Sequence, residues 1–222
     1  MSAGNTTRTD LSADKNRALA LISVSRETEM RLESFVEVLL LWQEKTNLVA
    51  DSTVAQLWTR HIADSLQLMA LSPQAKTWVD LGSGGGFPAI PIACALVDRP
   101  EGQIHLVESN GKKAAFLREA VRQLKLPATV HHERIEKFGD SFDGNADVVT
   151  ARALAPLKVL CDQSFKLIDQ GAIGLFLKGQ DVDAELTEAA KYWKLRADKV
   201  PSRTSPGGCI VVIRALWPKN SR

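Results

Sequence analysis

The sequence is poor in several features that mark common protein classes. Cysteine occurs only three times, at Cys94, Cys161 and Cys209. The number is odd, the residues are far apart, and none forms a Cys-x-x-Cys pair. That pattern argues against a disulfide framework or a cysteine zinc site, so no metal is expected, and it suits a reducing cytoplasm. Long apolar runs are also missing. The candidate Val36 to Trp42, interrupted by Glu37, falls far short of the roughly 20 residues that a membrane-spanning helix needs, so no membrane association is expected. An export signal fits poorly, because the short run from Ala18 to Val24 follows a stretch carrying Asp10 and Asp14. Internal repeats and low-complexity tracts are absent. What remains is a 222-residue chain with 45% hydrophobic and 24% charged residues, ordinary for one large α/β domain or a domain with a small appendage.

A net charge of +2 conceals an asymmetry. Residues 1–111 hold 9 Lys and Arg against 13 Asp and Glu, a balance of −4, whereas residues 112–222 hold 19 against 13, a balance of +6. A basic half can attract phosphate, although solvated helix faces account for lysines equally well.

Residues 1–24 are rich in Ser, Thr, Asn and Asp with little periodicity, which predicts a flexible tail. A helix is expected from about Arg26, capped by Ser25, with Glu27 and Glu29 at the positive end of its dipole and an apolar stripe of Leu32, Phe35, Val36, Leu39 and Trp42. A second helix after Ser52 carries Leu57, Trp58, Ile62 and Leu66, and the two form an N-terminal helical cap over residues 25–72. From residue 73 to 222 the pattern becomes short apolar runs alternating with helical stretches, as in βαβ units. Strands are predicted at Thr77–Leu81, Gln103–Val107, Ala128–His131, Asp147–Ala151, Ile173–Leu177, Leu195–Val200 and Ile210–Ala215, with helices at about 88–98, 112–124, 154–168 and 183–193. The last two strands have no room for a helix between them and should form an antiparallel hairpin. The fold class is therefore α/β, a Rossmann-like, mostly parallel seven-stranded sheet with an antiparallel last strand. This is the usual order of S-adenosylmethionine methyltransferases.

The segment Trp78-Val79-Asp80-Leu81-Gly82-Ser83-Gly84-Gly85-Gly86-Phe87-Pro88 carries most of the functional signal. A strand runs into a glycine-dense turn and then directly into an apolar helix. Gly82, Gly84 and Gly86 let the backbone approach a ligand, and the helix N-terminus favours its negative group. The dinucleotide fingerprint requires glycine three residues after Gly84, where this chain has Phe87. With Asp80 placed to attract a cationic ammonium group, the turn favours S-adenosylmethionine over NAD. Glu108 ends the second strand 22 residues beyond Gly86 and is placed to accept hydrogen bonds from ribose hydroxyls. Ile135 and Glu136 follow the third strand near an adenine edge, and Arg152 ends the fourth, where open α/β sheets bind ligands.

Taken together, these motifs resemble the RsmG (GidB) family of 16S ribosomal RNA guanine-N7 methyltransferases. The matching pieces are Asn47-Leu48, Arg60-His61-Ile62-Ala63-Asp64-Ser65, the glycine turn through Pro88, Glu108-Ser109, Lys112-Lys113, Phe116-Leu117, Arg134-Ile135-Glu136, Arg152-Ala153 and Lys178-Gly179, in family order over roughly residues 35 to 180. The resemblance implies cofactor contacts at Gly82, Phe87, Ile135, Glu136 and Arg152. It also implies a modified guanine, guanine 527, in the decoding-region loop of 16S rRNA. Two positions depart from the pattern. Ala89 stands where glycine is usual after Phe-Pro, and Pro206-Gly207-Gly208-Cys209 lacks a frequent basic residue.

Guanine N7 carries a free lone pair, so no general base is expected. The Asn/Asp-Pro-Pro-aromatic motif of amino-group methylation is absent. Cys161 falls in a predicted helix, which argues against a covalent cysteine route. His61, Asp64 and Ser65 lie too close together on one helix to form a hydrolase triad. Asn47, Arg60, His61 and Asp64 are candidates for a guanine pocket, and Lys112, Lys113, Arg118, Arg122 and Lys178 for RNA phosphate contacts. The expected partner is 16S rRNA, in the small ribosomal subunit or its assembly precursor, met by a monomeric protein. A non-catalytic RNA-binding assembly factor and a methyltransferase for small molecules or proteins remain alternatives.

Overall fold

A computed structural model describes residues 3–219. The chain opens with two helices, α1 (Ala3–Leu21) and α2 (Arg26–Gln43). The flexible tail expected at residues 1–24 is therefore corrected over its described part, residues 1 and 2 lying outside it. Leu11, Asp14, Ala18 and Ile22 fall on one helical face, and Asp14 and Ala18 are buried. Hydrophobic periodicity missed this face because one of its anchors is an acid. The Asp14 carboxylate is fully buried and accepts from the backbone N–H groups of Trp58 (2.8 Å) and Thr59 (3.1 Å) and from the Thr59 hydroxyl (2.6 Å). It satisfies the open N–H groups where the next helical segment begins.

Ser25 caps α2 as expected, accepting from Thr28 N–H. The second cap helix is broken into pieces: a 3₁₀ turn at Asp51–Gln56, a π-helical turn at Trp58–Ala63, the single turn α3 (Asp64–Leu66) and another 3₁₀ turn at Gln67–Leu71. A π turn widens the helix by one residue and re-aims the side chains around it, a device common at functional sites.

The remainder alternates β1 (Thr77–Leu81), α4 (Ala89–Leu96), β2 (Gln103–Val107), α5 (Gly111–Leu124), β3 (Ala128–His131), α6 (Ile135–Ser141), β4 (Val148–Arg152), α7 (Leu157–Asp169), β5 (Ile173–Lys178), α8 (Val182–Tyr192), β6 (Trp193–Pro201) and β7 (Cys209–Pro218). One seven-stranded sheet has the order β3-β2-β1-β4-β5-β7-β6, with β1 to β5 parallel and β7 antiparallel to both its neighbours. Helix α6, too short and charged to show periodicity, was not expected. The chain leaves β1 toward β2 and β3, then returns to β4 on the other side. The loops after β1 and β4 consequently diverge and open a crevice at the carboxyl ends of the strands.

Side chains alternate across the sheet. Trp78, Ile104 and Leu106 join a core with α4, α5 and the cap, whereas Val79, Leu81 and Val107 join a second core with α6, α7 and α8. Cap residues Phe35, Leu39, Leu57 and Ile62 share the first core with Ile90 and Phe116. The cap thus has no core of its own, and it is built as one face of the sheet domain.

Replacing Asp14 with Ala strips three donors of their acceptor in a buried position. Charged hydrogen bonds of this kind contribute about 1.5–3 kcal/mol. Urea denaturation should show a loss of at least about 1.5 kcal/mol for Asp14→Ala; an unchanged midpoint would mean that α1 does not hold the cap.

Candidate functional site

A cleft of about 660 Å³ opens at the carboxyl ends of β1, β2 and β4. Its size suits a nucleoside-containing ligand. Its floor is the glycine turn, where Gly82, Gly84 and Gly86 have φ of +70°, +52° and +87°, values that side-chain-bearing residues adopt reluctantly. Gly82, Gly84 and Phe87 line the cleft; Gly86 instead packs beneath it against Ile90, Leu117 and Phe35. At Gly85 a Cβ would sit 2.5 Å from the Leu48 carbonyl oxygen, so glycine here lets the cap close directly over the turn.

Glu108 braces this floor. One carboxylate oxygen accepts from Gly84 N–H at 2.8 Å and the other from Asn110 N–H at 2.7 Å, which leaves acceptor capacity on both toward the cleft. Asn110 in turn caps α5. Ile135 and Glu136 line the far end with Glu133 and Arg134.

Asp80 differs from its expected placement. It is 1% exposed and lies under the turn, outside the cleft wall, in contrast to the direct grip on an ammonium group that its motif suggests. Its Oδ1 accepts from the Thr150 hydroxyl at 2.7 Å, while Oδ2 is buried without a partner. Burial pushes its pKa up to about 7, only partly offset by hydrogen bonding, with Glu108 adding to the rise. Two carboxylates therefore lie beneath and beside the turn.

Cap and sheet meet at Arg152. Its Nη2 donates to His61 Nδ1 at 2.8 Å, its Nε lies 3.7 Å from Asp64 Oδ2, and its guanidinium stands 5.8 Å from the centre of the Phe87 ring. Its Nη1 is buried and lacks a partner. Because Arg152 can only donate, His61 Nδ1 is the acceptor and His61 Nε2 carries the hydrogen, 2.8 Å from Thr53 Oγ1. Burial, then the charges of Arg152 and Arg60, push the His61 pKa down to about 3, in keeping with this neutral tautomer. Ser65 turns its hydroxyl to the His61 carbonyl oxygen, as a helix-bound residue rather than a nucleophile.

The other expected residues divide. His61 lines the cleft, and Arg60 and Asp64 line a second cavity beside it. Asn47 is exposed and lines neither, which corrects its place in a guanine pocket. Lys113 borders the cleft, and Lys112 and Arg118 are exposed on α5. Arg122 is paired with Glu119. Lys178 is also corrected: its side chain is 9% exposed, held by Glu185 at 2.5 Å and the Ala155 carbonyl at 2.9 Å, and it presents no free ammonium to RNA. Sequence reasoning missed Thr53, Gln67, Ser202 and Thr204, polar residues whose roles arise only when the cap meets the β6–β7 turn.

A profile of the family described as "rRNA small subunit methyltransferase G" (GidB) matches residues 28–207. The chain belongs to this family. A relative named "Ribosomal RNA small subunit methyltransferase G" from Bradyrhizobium sp. (strain ORS 278) is 57% identical over 209 residues, 94% of each chain. Another of that name from Nitrobacter hamburgensis is 60% identical over 199 residues, 90% of this chain and 76% of that one. Among solved structures, an O-methyltransferase from Bacillus cereus in complex with SAH superposes with a TM-score of 0.60 at 14% identity, covering 91% of this chain and 97% of that one. An O-methyltransferase from Streptomyces achromogenes in complex with SAM gives 0.59 at 13% identity. These two establish the fold, and the family assignment rests on the profile and the relatives.

For this member of the GidB family, the raised Asp80 pKa has a consequence for stability. The folded pKa of about 7 lies above the ordinary 3.8, so Asp80 supports the fold fully below about pH 4, and this support is lost as pH rises through 7. Asp80→Asn cannot ionise. Its stability relative to wild type should therefore rise between about pH 5 and pH 8 in ligand-free denaturation. A difference independent of pH would contradict burial as the cause.

Proposed function

We propose that this protein transfers the methyl group of S-adenosylmethionine to N7 of a guanine in 16S rRNA, guanine 527 by family resemblance, acting as a monomer in the cytoplasm. Membership of the rRNA small subunit methyltransferase G family supports the substrate class. The observation that carries the cofactor assignment is the floor of the cleft, with its positive-φ glycines, braced Glu108 and buried Asp80 with an unmet oxygen. Among the described residues no helix is long and apolar enough to cross a membrane.

The residues fit the cofactor in detail. Glu108 would accept from the ribose hydroxyls and Ile135 and Glu136 would flank the adenine. Asp80 and Glu108 attract the ammonium and sulfonium charges. When bound, the cofactor supplies an electrophilic methyl group. The chain's own task is alignment and exclusion of water, since guanine N7 is nucleophilic without deprotonation. No residue needs to take a proton. Cys161 is buried in α7 with its pKa pushed up to about 12 by burial, which suits packing and not attack. Arg60, Lys112, Lys113 and Arg118 supply the positive surface around the cleft for phosphate.

The test is methyl transfer from labelled cofactor to small subunits lacking the modification, followed by nuclease digestion and mass spectrometry. Label should appear as N7-methylguanosine in 16S rRNA and not in bulk protein. Label confined to protein or small molecules, or to another position on the base, would overturn the proposal.

A further inference from the structure

The second cavity, of about 330 Å³, adjoins the cofactor cleft and shares Arg152 and Ala153 with it. Four separate parts of the chain build it: Arg60 and Asp64 of the cap, Arg152 and Ala153 at the end of β4, residues 177–180 at the end of β5, and the β6–β7 turn with Ser202 and Thr204. Asp64 is held in place within it. Its Oδ1 accepts from Thr204 Oγ1 at 2.6 Å and Gln67 Nε2 at 2.8 Å. Gln67, itself buried, also accepts from Arg203 N–H at 2.9 Å, so the cap grips the turn through two side chains. The other oxygen, Oδ2, has only Arg152 Nε at 3.7 Å, beyond hydrogen-bond reach. A fixed carboxylate lining this cavity therefore keeps one oxygen without a hydrogen-bond donor.

We propose that this cavity seats the acceptor base and that Asp64 Oδ2 selects guanine by accepting its N1–H. The inference rests on the guanine-N7 reading above. A base to be methylated at N7 cannot be read there, because the common arginine grip on O6 and N7 would cover the nucleophile. Recognition must come from the Watson–Crick edge of an unstacked base. Guanine presents N1–H and a 2-amino group on that edge, both donors. Adenine presents a bare N1, which a carboxylate repels. In the reaction the N7–carbon bond forms as the carbon–sulfur bond breaks, and positive charge passes from sulfonium to purine without loss of a proton. N1–H becomes more acidic as that charge arrives, so its bond to Asp64 strengthens most in the transition state.

The experiment uses the full-length enzyme and small subunits reconstituted with guanine, adenine or inosine at the position that wild type methylates. Single-turnover rates are read for each base, with cofactor affinity measured separately by calorimetry. Asn at position 64 offers adenine N1 a donor. Asp64→Asn should slow the guanine reaction at least about tenfold and narrow the guanine-over-adenine preference at least about tenfold. On wild type, inosine, which keeps N1–H but lacks the 2-amino group, should react within a few-fold of guanine, and adenine at least about tenfold more slowly than inosine. An unaltered base preference in Asp64→Asn would overturn the assignment, whatever the absolute rate. So would a wild type that methylates adenine as fast as inosine, which also decides the matter if Asp64→Asn is inactive on every base. Failure of wild type to methylate any guanine N7 would count instead against the function proposed above.

Discussion

The guanidinium of Arg152 stands where the cap, the sheet and two cavities meet. It leaves the end of β4, donates to the neutral ring of His61, faces the carboxylate of Asp64 and lies near the Phe87 ring. Burial works against its charge, and Asp64 is the largest influence favouring it. Taking away one member of such a buried set leaves the rest unpaired, at a cost of about 3–5 kcal/mol where pairs are fully desolvated. His61 lies within the π turn and Asp64 directly follows it, and the irregular helix there lets one cap segment hold the arginine from two directions.

Undemanding chemistry suits this construction. With no proton to move, the protein's contribution is to hold nucleophile, carbon and sulfur in line in a dry site. Rigidity is therefore the functional property, and the polar ties supply it. Asp14 fixes the start of the π turn, Glu108 braces the glycine floor, and Gln67 with Asp64 fastens the β6–β7 turn. Each is a buried or nearly buried side chain satisfying backbone N–H groups or hydroxyls of a different element.

The features legible in the sequence were those with local signatures. Strand and helix alternation, the glycine turn before an apolar helix, and the acid ending β2 all appear as short-range patterns, and all take their expected places in the fold. The losses share a cause. Helix α1 was hidden because its docking face includes Asp14, whose value as a cap depends on Trp58 and Thr59 in another segment. Lys178 looked available because its partners Glu185 and Ala155 O come from α8 and the loop before α7. Asp80 was placed in the cleft by motif, but strand alternation turns it beneath the turn. Ser202 and Thr204 carried no signal because only the hairpin's approach to the cap gives them partners.

The central claim is that Arg152 and His61 act as one unit joining the cap to the cofactor site. A double-mutant cycle with His61→Ala, Arg152→Met and the double variant, read as S-adenosylmethionine affinity by calorimetry, tests it directly. The account predicts that each single change weakens binding and that the double variant is little worse than the weaker single one, a coupling of at least about 1.4 kcal/mol, or tenfold in affinity. Losses that simply add would show that the two side chains act independently and would contradict the account.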